Sequence, residues 1–323
     1  MKRLIIVYNP RSSKHARIEK EVVRPLSALG GYQIGKFEIA RALVDENAAK
    51  LARILLDGDL VITAGGDGTS TVAVNAIMQS KKDVTLGVLG YGNFNDFART
   101  LGEEDYVGLI SDYENGSVKT MYPLQALLDG KHWRYAAAYF TIGMFAESTE
   151  AFESPRVRGK LKKGRKGLIF SIKTLAMWYF SHRKHAFLPK DIELDDVPMN
   201  RLKVSKSGKM NVVKTPIKKQ ISDVMFVNSN TAAKIMRGGN YWLSKTEFLV
   251  SFGRLKSFFR LVGFMLTAMF FRLPGKKIEK EVKIDFNAPE EFEIQAEGEY
   301  RRVRAKELIV KKAERGIKVV YGG

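Results

Sequence analysis

Over the first hundred residues short apolar runs alternate with amphipathic ones. Strand-like runs occur at Leu4–Tyr8, Tyr32–Ile39, Leu60–Thr63 and Val84–Leu89. Between them, at roughly Lys14–Leu29, Asp45–Leu56 and Thr69–Gln79, apolar positions recur at helical spacing. In the second of these Ala48, Leu51, Ala52 and Leu55 share one face, with Asp45 as the N-cap. Strand–helix alternation of this kind predicts a mostly parallel sheet covered on both faces, the doubly wound α/β class.

Beyond about residue 120 the rhythm changes. Short strand-like runs appear at Gln125–Leu128, Trp133–Phe140, Asp223–Val227, Val282–Phe286, Phe292–Gln295, Arg301–Arg304 and Glu307–Val310. They predict a second, mainly antiparallel domain, interrupted by helical stretches near 166–183 and 252–272. The division expected is residues 1–123 for the α/β domain and 124–314 for the β-rich one. A last strand within 315–323 can return to the first domain.

Composition narrows the class. A chain of 323 residues with 45% apolar content reads as an ordinary globular protein of two domains. It has no cysteine, which excludes disulfides and thiolate metal sites and fits a reducing cytoplasm. The apolar run near the N-terminus stops at Asn9-Pro10, too early for the core of a signal peptide. The four histidines show no metal-ligand spacing.

The formal charge of +19 is concentrated in the middle of the chain. Residues 156–190 hold eleven Lys/Arg and residues 200–220 hold seven, with no acid in either stretch. Such a face attracts nucleic acid, anionic lipid headgroups or a polyphosphate. No nucleic-acid recognition motif accompanies it, so no nucleic-acid partner is expected. In 166–183, Leu168, Ile169, Ile172, Leu175, Ala176 and Tyr179 share a helical face flanked by cations, the composition of an interfacial helix. The run "LVGFMLTAMFF" at 261–271 is too short to span a bilayer, which takes about 20 residues.

The chemistry begins at "AGGDGTSTVAVN", residues 64–75, where a strand passes through glycines into a helix. Gly65, Gly66 and Gly68 let backbone N–H groups approach a ligand and tolerate positive φ. Thr69 as the cap would turn the helix's positive end toward the loop, giving an anion site. Asp67 would repel a bare phosphate, so its place suggests a metal ion or a positioned hydroxyl. "NPRSS" at 9–13 and "LGYGNFNDFARTLG" at 89–102 also leave strands for helices, the latter with Gly92, Asn93, Asn95 and Asp96 at the turn. In an open α/β sheet such loops converge on one crevice.

These pieces resemble the diacylglycerol kinase catalytic family, which includes bacterial soluble lipid kinases and sphingosine kinases. The matching stretches are "NPRSS", "GGDGT" with Asn75 six residues on, "GNFNDFARTLG", "FTIGMFAE" at 140–147 and "AEGEY" at 296–300. The resemblance implies a nucleotide-binding α/β domain, a β-sandwich-like domain and an active site between them. ATP would lie against Asn9, Pro10, Ser12, Ser13, Gly65–Thr69, Asn75 and the loop of Gly92, Asn93, Asn95 and Asp96. Mg2+ would act with Asp67. By spacing alone Glu297 and Glu299, two apart and on one side if extended, read equally well as a solvated turn. The resemblance makes them the catalytic carboxylates, with Glu299 foremost as the base.

The sequence also departs from the family. Glu297 stands where aspartate is usual, Asn93 where threonine is common, and Thr71-Val72 where Asn-Glu is usual. The stretch "GGNYWLSKTEFLV" at 238–250 lacks the aspartate cluster that holds a structural magnesium in bacterial members, so that site is doubtful here. The reading is a cytoplasmic kinase at the inner face of the membrane that phosphorylates a lipid hydroxyl, most simply that of diacylglycerol. It would meet anionic lipid through 156–190 and 200–220, and a homodimer stays open. The alternatives are a catalytically impaired lipid- or nucleotide-binding homologue and an NAD kinase-like enzyme with a soluble substrate.

Overall fold

In β1 (Lys2–Tyr8) alternate side chains enter two different cores. Ile5 and Val7 pack in one, Leu4, Ile6 and Tyr8 in the other. That alternation is the signature of a strand buried on both faces. β1 is an interior strand of a six-stranded sheet in a computed structural model of the chain. The structure describes residues 1–40, 43–102, 105–153, 170, 173–174, 176–178, 180–181, 193–195, 223–233, 236–253 and 257–322.

The first sheet contains β2 (Tyr32–Glu38), β1, β3 (Leu60–Gly65), β4 (Thr85–Gly90), β17 (Ile317–Val320) and β5 (Val118–Met121), in that order. β2, β1, β3, β4 and β17 run parallel to one another, and β5 runs antiparallel to β17. One face is covered by a helical segment at 15–27 and by α6 (Tyr106–Glu114). That segment comprises α1 (His15–Ile18), a π-helical turn Glu19–Val23 and α2 (Arg24–Ser27). The other face carries α3 (Val44–Ile54), α4 (Asp67–Ser80) and α5 (Asp96–Leu101). Val72, Ala73, Val74, Ala76 and Ile77 of α4 are all buried. Burying each valine or isoleucine contributes on the order of 1.5–3 kcal/mol, which anchors the helix that carries the glycine loop.

Asp45 is not the cap expected of it. α3 starts at Val44 with Leu43 at the N-cap, and no side chain caps it. The Asp45 carboxylate instead pairs with Arg134 of the second domain. Likewise Thr69 lies inside α4, whose N-cap is Gly66.

The second sheet is antiparallel throughout. Its path is β14 (Lys276–Ile278), β13 (Phe248–Gly253), β10 (Asp223–Val227), β8 (Tyr139–Gly143), β15 (Glu281–Ala296), β16 (Glu299–Lys312), β6 (Leu124–Leu128) and β7 (Lys131–Ala136). A short β9 (Glu193–Asp195) pairs with β15. Residues from both ends of this path, such as Ile278 and Ala136, share one core, so the sheet folds over on itself in a sandwich-like way. The four short strands expected between 282 and 310 are two long ones, with an irregularity between Asp285 and Glu290. That irregularity lets one strand serve both layers. The single run expected at Trp133–Phe140 breaks at Ala137-Ala138, whose backbone is taken by other groups described below. A hairpin of β11 (Thr231–Ala232) and β12 (Met236–Arg237), α7 (Met144–Glu153) and α8 (Phe258–Phe270) complete the second domain. α8 begins later than the 252–272 pattern predicts, because Phe252 and Gly253 extend β13.

Most of the helix expected at 166–183 and most of the stretch 156–190, all of 200–220, and His182 and His185 lie outside the described residues.

Candidate active site

β1, β3 and β4 end side by side, so the turns that follow them share one rim. In the first turn, the Asn9 side-chain oxygen accepts from the Arg11 N–H at 2.9 Å, and Asn9 O accepts from Ser12 N at 3.0 Å. Ser12 Oγ in turn accepts from Lys14 N, which leaves Ser12 a turn-former. Ser13 is exposed and Pro10 partly so.

The glycines of the second turn are required by contact, not by φ. None of Gly65, Gly66 and Gly68 has positive φ, so the conformational freedom they allow is not used there. A Cβ on Gly65 would stand 2.3 Å from Thr69 Oγ1, and one on Gly66 3.0 Å from the Gly92 Cα. The third turn is thereby packed on the second. The N–H groups of Tyr91 and Gly92 donate to Gly65 O at 2.6 and 3.1 Å, and Lys14 Nζ reaches Gly92 O at 2.9 Å.

Asp67 acts between these turns. Its carboxylate accepts from the backbone N–H of Asn95 at 2.9 Å and of Phe97 at 3.4 Å, at the start of α5. Asn95 itself holds a left-handed conformation, φ 56°. Burial, and then the nearby Asp96, push the Asp67 carboxyl up from its ordinary value. Asn93 stays exposed at the loop tip.

Two residues expected to touch nucleotide do not face the rim. Asp96 is buried, and its Oδ1 accepts from Arg99 Nη2 at 2.9 Å and Thr231 Oγ1 at 2.8 Å. It therefore ties α5 to the β11–β12 hairpin. Asn75, also buried, donates to Thr71 O and Tyr135 O and accepts from Tyr135 N, which clamps α4 to β7.

The carboxylates from the chain's far end separate in role. Glu297 and Gly298 form the two-residue turn between β15 and β16, with φ of 51° and 92°. Two successive positive φ values are those of a type I′ hairpin turn. The pair is therefore not extended, and the two glutamates diverge. Glu297 is 4% exposed. Its Oε1 meets the N–H of Ala138 and its Oε2 lies 2.6 Å from Thr71 Oγ1. Burial pushes its carboxyl up to about 8. Thr71 Oγ1 also donates to Asp67 O at 2.8 Å. One hydroxyl hydrogen cannot serve both oxygens at once; a proton on Glu297 Oε2 would let both contacts stand together. Glu297 is thus a buried tether between the domains, and burial favours its protonated form.

Glu299 faces the cleft. It lines a cavity of about 450 Å³ together with Asn9, Gly66, Gly68 and Thr69, and with Ile39, Val44 and Val72 on an apolar wall. Its carboxylate is held by Arg134 Nη1 at 2.5 Å and lies 3.5 Å from Arg301. Arg134 is fully buried, and its Nη2 reaches Asp45 Oδ1 at 2.8 Å. One guanidinium thus bridges α3 of the first domain to β16 of the second. Sequence reasoning missed Arg134, Asp45 in this role, and Thr71. An arginine amid the apolar run Trp133–Ala138 was the available signal, since a buried guanidinium needs carboxylate partners. Gly92 and Asn95 line a neighbouring cavity of about 500 Å³ with Lys14 and Arg17.

Away from the cleft, burial and Glu293 push the Glu147 carboxyl to about 7, and burial raises Asp223 well above its ordinary value. In 238–250 the one carboxylate, Glu247, is paired with Lys277 at 2.7 Å. No group of three or more acids or histidines among the described residues could hold a metal ion.

Known proteins share both sequence and fold with this chain. The family model of the diacylglycerol kinase catalytic domain matches residues 3–125. A protein named diacylglycerol kinase from Bacillus subtilis (strain 168) is 38% identical over 120 residues, 36% of this chain and 39% of that relative. One of the same name from Staphylococcus carnosus (strain TM300) is 33% identical over 102 residues, 31% of this chain and 33% of the relative. The matches thus span well under half the length of these curated relatives. A solved structure described as a diacylglycerol kinase from Bacillus anthracis str. Sterne superposes with a TM-score of 0.59 at 17% identity. That superposition covers 99% of this chain and 96% of that one, and shows the same two-part α/β and β-rich fold. The family resemblance read from the sequence holds over the N-terminal domain.

Proposed function

We propose that this chain, whose residues 3–125 match the diacylglycerol kinase catalytic domain, moves the γ-phosphoryl group of ATP to a lipid hydroxyl, with diacylglycerol as the acceptor. One observation carries the reading. Glu299, more than two hundred residues away in sequence, lines the same cavity as Asn9 and the Gly66–Thr69 turn.

Phosphoryl transfer asks for positioning and charge neutralisation more than for covalent chemistry. Ile39, Val44 and Val72 offer a flat base an apolar wall, and the glycine turn offers N–H groups to the phosphates. Glu299 then accepts the proton of the lipid hydroxyl as its oxygen attacks the γ-phosphorus and the β–γ bridging oxygen leaves with ADP. Arg134 and Arg301 hold that carboxylate in place. Magnesium fits as an ion carried by the nucleotide: it is commonly held by phosphate oxygens and one or two carboxylates, and neutralises their charge. Asp67 is the carboxylate in the turn, and the N–H groups of Asn95, Asp96 and Phe97 leave one of its four lone-pair sites open. The lipid acceptor places the working protein at the inner face of a membrane. No helix among the described residues is long and apolar enough to cross one.

The test uses labelled ATP, magnesium and mixed micelles containing diacylglycerol. Glu299→Gln should lower transfer by about 10²–10⁴ while leaving ATP binding within error. Transfer that survives this substitution, or that goes to NAD instead of lipid, refutes the reading. Nucleotide and lipid binding without transfer by the unaltered protein would favour the impaired homologue.

A further inference from the structure

α8 is apolar on the side that it buries and also on the side that it shows. Inward, Leu261 and Ala268 are buried in the core that holds Tyr139, and the Phe264 ring lies tilted against that of Phe145 at 5.8 Å. Outward, Phe259 is 86% exposed, Phe270 64% and Leu266 47%, and Phe271 at the helix's end is 77% exposed. Positions 259, 263, 266 and 270 follow the 3.6-residue period, so they form one outward stripe about 16 Å long. Beside it stand Phe180 and Met177, also more than half exposed, and the Phe180 ring lies 5.1 Å from that of Phe258. A patch of large aromatic side chains of this extent marks an interaction surface.

Charge identifies the occupant. From 254 to 278 the chain carries six Lys/Arg and no acid. Arg260 and Arg272, both exposed, bracket the stripe. Phenylalanines between cations suit the headgroup and upper acyl region of an anionic bilayer, where rings insert and cations meet phosphates. A second copy suits it poorly. Packing α8 antiparallel against itself across a two-fold axis would set Arg260 of one chain by Arg272 of the other. A helix of 13 residues cannot span, so it would lie in the interface plane.

The geometry points to the outward face of α8, with Phe259, Phe270, Phe271, Arg260 and Arg272, as the surface that docks this protein on anionic lipid membranes. The choice of partner rests on the lipid kinase reading. The location is apt for it. Leu273 N donates to Arg237 O of the β11–β12 hairpin, and that hairpin's Thr231 bonds Asp96 beside the glycine turn. Docking would thus set the candidate cleft one hairpin from the lipid.

Flotation with vesicles of equal parts phosphatidylcholine and phosphatidylglycerol tests this on the full chain. The unaltered protein should float with these vesicles and not with pure phosphatidylcholine. Phe259→Ser, Phe270→Ser and Phe271→Ser together should lower the bound fraction about tenfold, with an unchanged melting temperature. Should that variant misfold, Arg260→Gln with Arg272→Gln should weaken binding and flatten its salt dependence. No flotation of the unaltered protein, or equal flotation of well-folded variants, overturns the proposal. A dimer in sedimentation that the serine variant abolishes overturns it too, by assigning the face to a second copy. Phosphorylation of a short-chain diacylglycerol dispersed without vesicles reads the cleft alone, so its absence sinks the kinase reading and leaves the docking result standing.

Discussion

Thr71 of α4 and Glu297 of the β15–β16 turn meet at 2.6 Å across the domain boundary, from positions 226 residues apart. The hydroxyl has one hydrogen for two acceptors, Asp67 O and Glu297 Oε2, so a proton on the carboxyl would let both contacts stand. Glutamine carries the equivalent donor and acceptor. Glu297→Gln should therefore unfold within about 0.5 kcal/mol of the parent, whereas Glu297→Ala, which strands the Ala138 N–H, should cost about 1–3 kcal/mol. Urea denaturation decides. A glutamine variant as unstable as the alanine one would show Glu297 to be ionised.

The same burial predicts a pH dependence. Glu147 and Glu297 have folded values pushed up to about 7 and about 8, above their unfolded carboxylate value. Between the two values the folded state binds more protons than the unfolded, so stability falls as pH rises. It is fully present below the unfolded value near 4.5 and is lost as pH passes through 7 and 8. Melting temperature should decline over that interval. The decline should be shallower in Glu297→Gln.

Gly92 and Gly66 touch through their backbones. A Cβ on Gly92 would sit 2.4 Å from the Gly66 Cα, a contact that only backbone movement relieves. Gly92→Ala should therefore destabilise by about 1–3 kcal/mol and weaken ATP binding, read by calorimetry. Gly68→Ala, with nothing near its Cβ, serves as the mild comparison.

Arg134 joins Asp45 and Glu299 from a fully buried position. A lysine has one ammonium where two arms of a fork are needed. Arg134→Lys should lose about 1–3 kcal/mol, because one of the two carboxylates loses its charge-assisted hydrogen bond. The turnover of whatever variant folds should fall with its Glu299 unheld. Near-normal transfer in Arg134→Lys would mean that the guanidinium does not position Glu299.

Much of the frame was legible. Strands β1, β3 and β4 show in the sequence because a strand buried on both faces is a continuous apolar run, and the glycine turn shows because close backbone approach needs glycine. What stayed hidden depends on pairing at long range. Asp45 read as a local cap because its partner, Arg134, lies 89 residues away. Asn75 read as a ligand because nothing near it in sequence shows that Tyr135 takes its amide. Glu297 and Glu299 read as equivalent because alternation assumes an extended chain, and the turn at Glu297-Gly298 breaks it. The long β15 and β16 read as four strands because the fold-over at 285–290 interrupts the alternation.

β17 sits between β4 and β5, so the leading sheet closes around residues 317–320. During vectorial synthesis, then, the first domain emerges from the ribosome with a gap and waits for nearly two hundred further residues. A fragment of residues 3–125 would carry every glycine of the rim and still expose the unpaired edges of β4 and β5, an invitation to aggregate. Nucleotide binding studied on such a fragment should be rescued by supplying the β17 segment in trans, or it will not be seen at all.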